Sequence, residues 1–320
     1  MSALNKDIRT AAMHQSVMPA EVLHYLAPKD GELMLDGTAG RAGHTQHLLH
    51  AANCQVICLD RDPEAIAEID ALRLEGIHLY QTPFSQMDQA VAALGFDQVD
   101  GILLDLGVSS PQLDRAERGF SFMNDGPLDM RMDPQQGQSA ADIINEYSQE
   151  DLANLIYDYG EERRSRAVAR AIVAARRQTP ITRTTELADI VRSVVRTAPS
   201  VGIDPATRTF QALRIFVNDE LGELDRGLEA ALKILRPGGR LVVISFHSLE
   251  DRRVKHFIKE KSGRAPSVSR HFPQPDDLSR RSFLNPLTGR AIKASAEECT
   301  LNRRARSALL RAASRTELAL

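Results

Sequence analysis

The stretch "LDGTAGRAGHT" (35–45) ends an apolar run with an acid, Asp36, and then sets Gly37, Gly40 and Gly43 three residues apart. Glycines at such a turn let the backbone approach a ligand, and the helix that follows offers its free N–H groups. The spacing departs from the dinucleotide pattern G-x-G-x-x-G, and no G-K-[ST] follows, which excludes a Walker loop. Asp36 puts a carboxylate where a pyrophosphate would lie; it repels a diphosphate but attracts an ammonium or organises the water around one. An Asp that caps the turn through its own backbone is the simpler alternative. Asp60, at the end of the next apolar run, can accept both ribose hydroxyls of an adenosine. Together these residues favour S-adenosylmethionine over a dinucleotide.

Asp105 closes a further apolar run in "LLDLGVSSPQLD" (103–114). At that edge it can hold the adenine amine, the methionine ammonium or a methyl acceptor, and spacing does not choose among them. Methylation of a pyrimidine carbon needs a cysteine thiolate as nucleophile, and no cysteine lies in 105–112. An exocyclic amine needs only an in-line donor and acceptors for its N–H bonds, which a carboxylate and backbone carbonyls supply. Asp105 is therefore the candidate catalytic group, although the usual D/N/S-P-P-Y form of such a site is absent. His247 in "SFHS" (245–248) either faces the same crevice or is a hydrogen-bonded structural histidine.

These residues need a scaffold that brings them to one edge. The runs "ELMLD" (32–36), "QVICLD" (55–60), "IHLYQ" (77–81) and "VDGILLDL" (99–106) read as buried strands, the first three each followed by a helical stretch. Strand–helix repetition implies a parallel, doubly wound sheet. From about Pro111 to about Pro205 only helical spacing appears, with Ser148 and Thr184 as N-caps. The α/β rhythm returns with "LGELDRGLEAALKIL", a Pro-Gly-Gly turn at 237–239 and the strand "RLVVISF" (240–246). The expected organisation is an α/β domain formed by 1–110 and 206–320, with an all-helical domain, 111–205, inserted. Residues 262–287, rich in Pro, Ser and Arg without periodicity, read as a mobile loop.

Composition limits the function classes. Hydrophobic residues make up 42% and charged residues 26%, and no apolar run approaches the ~18 residues of a membrane span, so a soluble cytoplasmic protein is expected. Cys54, Cys58 and Cys299 fit neither a disulfide framework nor a zinc site, so no metal is expected. The net charge of −3 hides a gradient: residues 1–110 carry 15 acids and 6 bases, whereas 252–315 carry 5 acids and 16 bases. Of 40 basic residues 33 are arginine, whose planar fork suits phosphates.

The segments 14–26, 35–45, "LDRDPEAI" (59–66), 101–114, "RGFSFMNDGPLDMRMD" (118–133), "ATRTFQALRIFVNDEL" (206–221), "LRPGGRLVVISFHSLEDRRVKHF" (235–257) and "PLTGRAIKAS" (286–295) together resemble the RsmH (MraW) family. The resemblance runs nearly end to end. It implies a Rossmann-like class I S-adenosylmethionine-dependent methyltransferase sheet with an inserted all-helical domain. It further implies methylation of the exocyclic N4 of a cytosine in the decoding region of 16S ribosomal RNA. By the same resemblance the cofactor is held by Ala42, Gly43, His44, Asp60, Phe84, Asp105 and Gln112. Two departures stand out. Ala42 occupies a loop position where the family usually has glycine, at a cost of about 1 kcal/mol if φ is positive there. "NRRARS" (302–307) replaces Asn-Pro-Arg-Ala-Arg-Ser.

The helical insert and the basic C-terminal third would wall a crevice large enough for folded RNA, with Arg303, Arg304 and Arg306 on phosphates and the target base unstacked into it. The expected partner is 16S rRNA or the small ribosomal subunit, with a homodimer as a further expectation and no membrane. Rival readings are a methyltransferase for another nucleic acid or a protein, a non-catalytic ribosome-assembly factor and a dinucleotide-dependent oxidoreductase. Asp36 and the missing G-x-G-x-x-G argue against the last.

Overall fold

Side chains alternate across a strand, so a run apolar at every position must be covered on both faces. In the computed structural model, which describes residues 16–196, 204–263 and 281–318, this holds for the central strands. β1 (Leu33–Asp36), β2 (Gln55–Asp60), β3 (Ile77–Gln81), β4 (Val99–Asp105) and β5 (Leu235–Ser245) pair in parallel. Leu35, Ile57, Leu59, Ile102, Leu104 and Val243 point into one core. Their neighbours Met34, Val56, Cys58, Leu103 and Val242 point into the other.

Helices α1 (Pro19–Leu26), α2 (Gly43–Ala51) and α3 (Pro63–Ala71) cover the second face through Val22, Leu48 and Ile69. The first face is covered by α4 (Met87–Ala93), α11 (Glu220–Ile234) and α12 (Ser248–Lys261) through Met87, Leu228 and Val254. Between them the chain forms α5 (Ser110–Asp114), α6 (Ala140–Glu146), α7 (Gln149–Gly160), α8 (Ser165–Arg176), α9 (Thr184–Val194) and α10 (Thr207–Val217). After α12 come β6 (Leu284–Pro286), β7 (Ile292–Lys293), α13 (Ala296–Leu301) and β8 (Leu309–Arg315). The sheet order is β3-β2-β1-β4-β5-β8-β6, with β7 also on β8. β8 runs antiparallel to β5, pairing Val242 with Ala312 and Ile244 with Leu310.

Helices α6 to α10 enclose a core of their own, including Leu128, Ile144, Leu152, Ile156, Ile172, Leu187 and Phe210. The boundary expected at 205/206 falls inside this core, because α10 turns Phe210 and Leu213 towards α7. Ser148 caps α7 as expected, accepting the Asp151 N–H at 3.1 Å. Thr184 instead begins α9 with Arg183 at the cap, and its hydroxyl accepts the Gly126 N–H at 3.0 Å. The loop expected over 262–287 is shorter in its described part: Leu284–Pro286 pairs with β8, while 264–280 lie outside the described residues. Among the described residues no helix is long and apolar enough to cross a membrane.

Candidate active site

In a doubly wound sheet ligands bind at the carboxyl ends of the strands where the order reverses. Here that point lies between β1 and β4, and the loops after them are laced together. The Gly37 N–H donates to Leu103 O at 2.9 Å, and the Asp105 N–H donates to Thr38 Oγ1 at 2.7 Å. On the other side the Gly40 N–H reaches Asp60 Oδ2 at 2.9 Å. The glycine loop is thus fixed to both neighbouring strands before any ligand arrives.

A cavity of about 810 Å³ opens at this point, within the usual range for small-molecule sites. Gly43, His44, Asp60, Phe84, Asp105, Gln112 and Arg304 all line it. Ala42 lies just beneath, fully buried, at φ 58° and ψ 26°. The loop therefore keeps a left-handed residue at this position although alanine supplies it, and it carries the associated strain of about 1 kcal/mol.

Asp36 does not line the cavity. It is buried below the loop, where its oxygens accept Thr45 Oγ1–H at 2.8 Å and the Thr38 N–H at 3.3 Å. The expectation that it faces the ligand is corrected: the turn folds over it, and burial raises its pKa. Between Asp36 and the cavity stands His44, with Nε2 3.4 Å from Asp105 Oδ2. Burial opposes a charge on His44, but Asp105 and then Asp36 outweigh it and raise the imidazole pKa. Neither ring nitrogen of His44 nor Asp105 Oδ1 makes a hydrogen bond among the described residues. Polar atoms left without partners at a cavity wall fit a polar ligand better than a sealed core.

Phe84 follows β3 and lies between two glycines. A Cβ on Gly37 would come 3.2 Å from Phe84 Cβ, and one on Gly227 would come 2.4 Å from its ring. Gly227 sits inside α11, where glycine costs about 1 kcal/mol relative to alanine. Its benefit is space for the ring. Gly227→Ala is therefore expected to favour the helix yet lower cofactor affinity about tenfold by pushing Phe84 into the cavity, as isothermal titration calorimetry would measure. Unchanged affinity would separate the ring from the binding site.

Gln112 is buried and engaged at both ends. Its Oε1 accepts the Ser109 N–H at 3.0 Å, closing the capping box of α5, and its Nε2 donates to Asp62 Oδ2 at 2.9 Å. His247 proves structural: it caps α12, its Nε2 lies 3.1 Å from Glu250 Oε1, and it does not line the cavity. Its neighbours Phe246 and Glu250 do line it. Arg303 and Arg306 are exposed on the turn before β8, whereas Arg304 enters the cavity wall, where burial lowers its pKa against the pull of Asp114 and Asp105.

The polar group on the far wall is not apparent from composition or spacing. Arg214 grips Glu220 with Nε and Nη2 at 2.7 and 2.8 Å, and Glu250 accepts the Phe246 N–H at 2.7 Å. Burial works against the Glu250 charge, but His247 and Arg214 hold its pKa below the usual carboxylate range. Glu220, His247 and Glu250 bring ligand-type atoms within 4.8 Å of one another. The Arg214 guanidinium already balances the carboxylates, so a divalent ion would have to displace it. The sequence signal for this wall lies in segments 206–221 and 235–257, which carry resemblance without an assigned role.

The sequence pattern of the MraW methylase family matches residues 11–316. The chain belongs to the MraW methylase family. Proteins named Ribosomal RNA small subunit methyltransferase H are similar to it over nearly their whole length. The one from Parvibaculum lavamentivorans is 54% identical over 310 residues, covering 96% of this chain and 91% of that protein. Those from Methylobacterium nodulans and Rhodospirillum rubrum are 55% and 52% identical, each over 95% of this chain and covering 91% and 94% of those proteins. This MraW-family chain is a methyltransferase, and its methyl donor is S-adenosylmethionine. The cavity fits that donor in size and in His44 Nδ1 and Asp105 Oδ1, which have no hydrogen-bond partner among the described residues.

Proposed function

We propose that this methyltransferase modifies the exocyclic N4 of a cytosine in 16S ribosomal RNA. The observation that carries the reading is the position of Asp105, whose Oδ1 has no partner among the described residues and which lines one cavity with both Asp60 and Arg304. Asp60 would hold the ribose, Phe84 the adenine face, and the backbone of Ala42, Gly43 and His44 with Gln112 the rest of the cofactor. When bound, S-adenosylmethionine supplies an electrophilic methyl group on a sulfonium. Asp105 would accept an N–H of the target amine and so aim its lone pair. The relatives' name supports small-subunit RNA as the substrate.

The helical unit, 111–205 together with α10 (Thr207–Val217), would recognise substrate, and Arg303, Arg304 and Arg306 would contact RNA phosphates. On this reading the protein works in the cytoplasm. A homodimer belongs to the same proposal and is tested by sedimentation.

The deciding experiment incubates pure protein with labelled S-adenosylmethionine and small subunits lacking the modification, then maps the label. Label on one cytosine N4 of 16S RNA is expected. Cofactor binding without transfer would instead support a non-catalytic assembly factor.

A further inference from the structure

Many surface arginines of this protein are neutralised locally. Arg41, Arg115, Arg183, Arg192, Arg226 and Arg253 each lie within ion-pair distance of a carboxylate. Others have no carboxylate partner among the described residues, and they cluster most densely at helix α8. Between residues 163 and 177 the chain carries six arginines and no acid. Arg176 is structural, donating to Ile144 O and Tyr147 O at the end of α6. The side chains of Arg163, Arg166, Arg170 and Arg177 are exposed and have no ion-pair partner among the described residues.

Arg166, Arg170 and Arg177, spaced four and seven residues apart, share one side of α8, Arg163 lies in the turn that leads into it, and Val168, Ala169 and Ile172 face the helical core. From Arg166 to Arg177 the strip is roughly 16 Å long at 1.5 Å per residue. It begins beside the site: Glu161 accepts Ser248 Oγ–H at 2.7 Å, and Glu250, one half-turn further along α12, lines the cavity.

We propose that this arginine face is a docking strip for the phosphate backbone of the substrate RNA outside the target nucleotide; the inference rests on the rRNA reading above. A protein of net charge −3 has no overall attraction for a polyanion, so its affinity must come from a concentrated strip. Guanidinium groups left without carboxylates are free to release counterions from phosphates. An acidic protein presents its carboxylates at scattered points, whereas a nucleic-acid backbone presents phosphates at regular intervals along the length of the strip.

The test replaces Arg163, Arg166, Arg170 and Arg177 with Gln in the full chain and measures affinity for 16S RNA between about 50 and 200 mM salt. The slope of log affinity against log salt is expected to become shallower by about 3, at roughly 0.7 to 0.9 for each phosphate no longer neutralised. RNA affinity at the higher salt should fall about tenfold or more, cofactor affinity should be unchanged, and the Arg→Lys counterpart should restore the slope. Unchanged slope and affinity in the Gln variant, with a wild type that methylates the RNA, overturns the docking strip alone. A wild type that binds cofactor but transfers no methyl overturns the rRNA reading instead.

Discussion

Cofactor affinity is expected to fall about tenfold for each pH unit below about 6, and the Asp60→Asn variant is expected to lose that dependence. Asp60 ends β2, where burial pushes its carboxyl up to about 6, with the Asp62 and Gly40 amides pulling it back. Those amides donate at 2.9 Å each, one to Oδ1 and one to Oδ2, and leave lone pairs on both oxygens for ribose hydroxyls. Protonation removes one such acceptor, so cofactor prefers the ionised form and its affinity drops as pH falls through about 6. Stability of the free protein should move the other way. An acid whose folded pKa is raised binds its proton more tightly when folded, so this group adds stability as pH falls from about 6 towards its unfolded value. Opposite slopes for cofactor affinity and free-protein stability, both flattened in Asp60→Asn, are the expected signature by calorimetry and thermal unfolding. At neutral pH the substitution should also cost roughly ten- to a hundredfold in affinity, the size of hydrogen bonds to a charged acceptor. A wild-type affinity flat between pH 5 and 7 would place the ribose elsewhere.

Asp60 and Asp105 were legible because each is an acid at the end of a run that is otherwise buried, an expensive position without a purpose. Asp36 is an acid in the same setting with a different fate. Sequence shows that a carboxylate precedes the turn but not whether the turn folds over it, and here Thr38 and Thr45 satisfy it from within. β8 escaped notice because "LLRAASR" is rich in alanine and arginine, weak strand formers, and its place is set by pairing with β5 and by Arg311 on Asp251 at 2.7 Å. Gly227 did carry a signal, a glycine amid strong helix formers, whose reason is the Phe84 ring about 140 residues away in sequence. Arg118 carried none. An arginine in a polar segment reads as surface until its partner, Asp62, is found across the fold.

That partner makes Arg118 the position where a single change is expected to destabilise most. Arg118 is 7% exposed; its Nη1 donates to Asp62 Oδ2 at 2.9 Å, and its Nη2 donates to the carbonyls of Met132 and Arg131 at 2.9 and 3.2 Å. Asp62, itself 3% exposed, caps α3 and accepts Gln112 Nε2–H, so one guanidinium joins the start of α3, the Gln112 side of the cavity in α5 and the helical unit. Arg118→Met would leave a buried carboxylate without its cation and two carbonyls without a donor, at a cost of about 3–5 kcal/mol. Adding Asp62→Asn should recover part of that loss, because asparagine caps a helix as well as aspartate and carries no charge to strand. The double variant is thus expected to unfold at a higher urea concentration than Arg118→Met alone, a non-additivity that a double-mutant cycle isolates. Its cofactor affinity should still be reduced, since Gln112 loses the charged acceptor that anchors it. If Arg118→Met costs less than about 1 kcal/mol, the range of an exposed pair, then water reaches Asp62 and the three parts of the molecule are joined elsewhere.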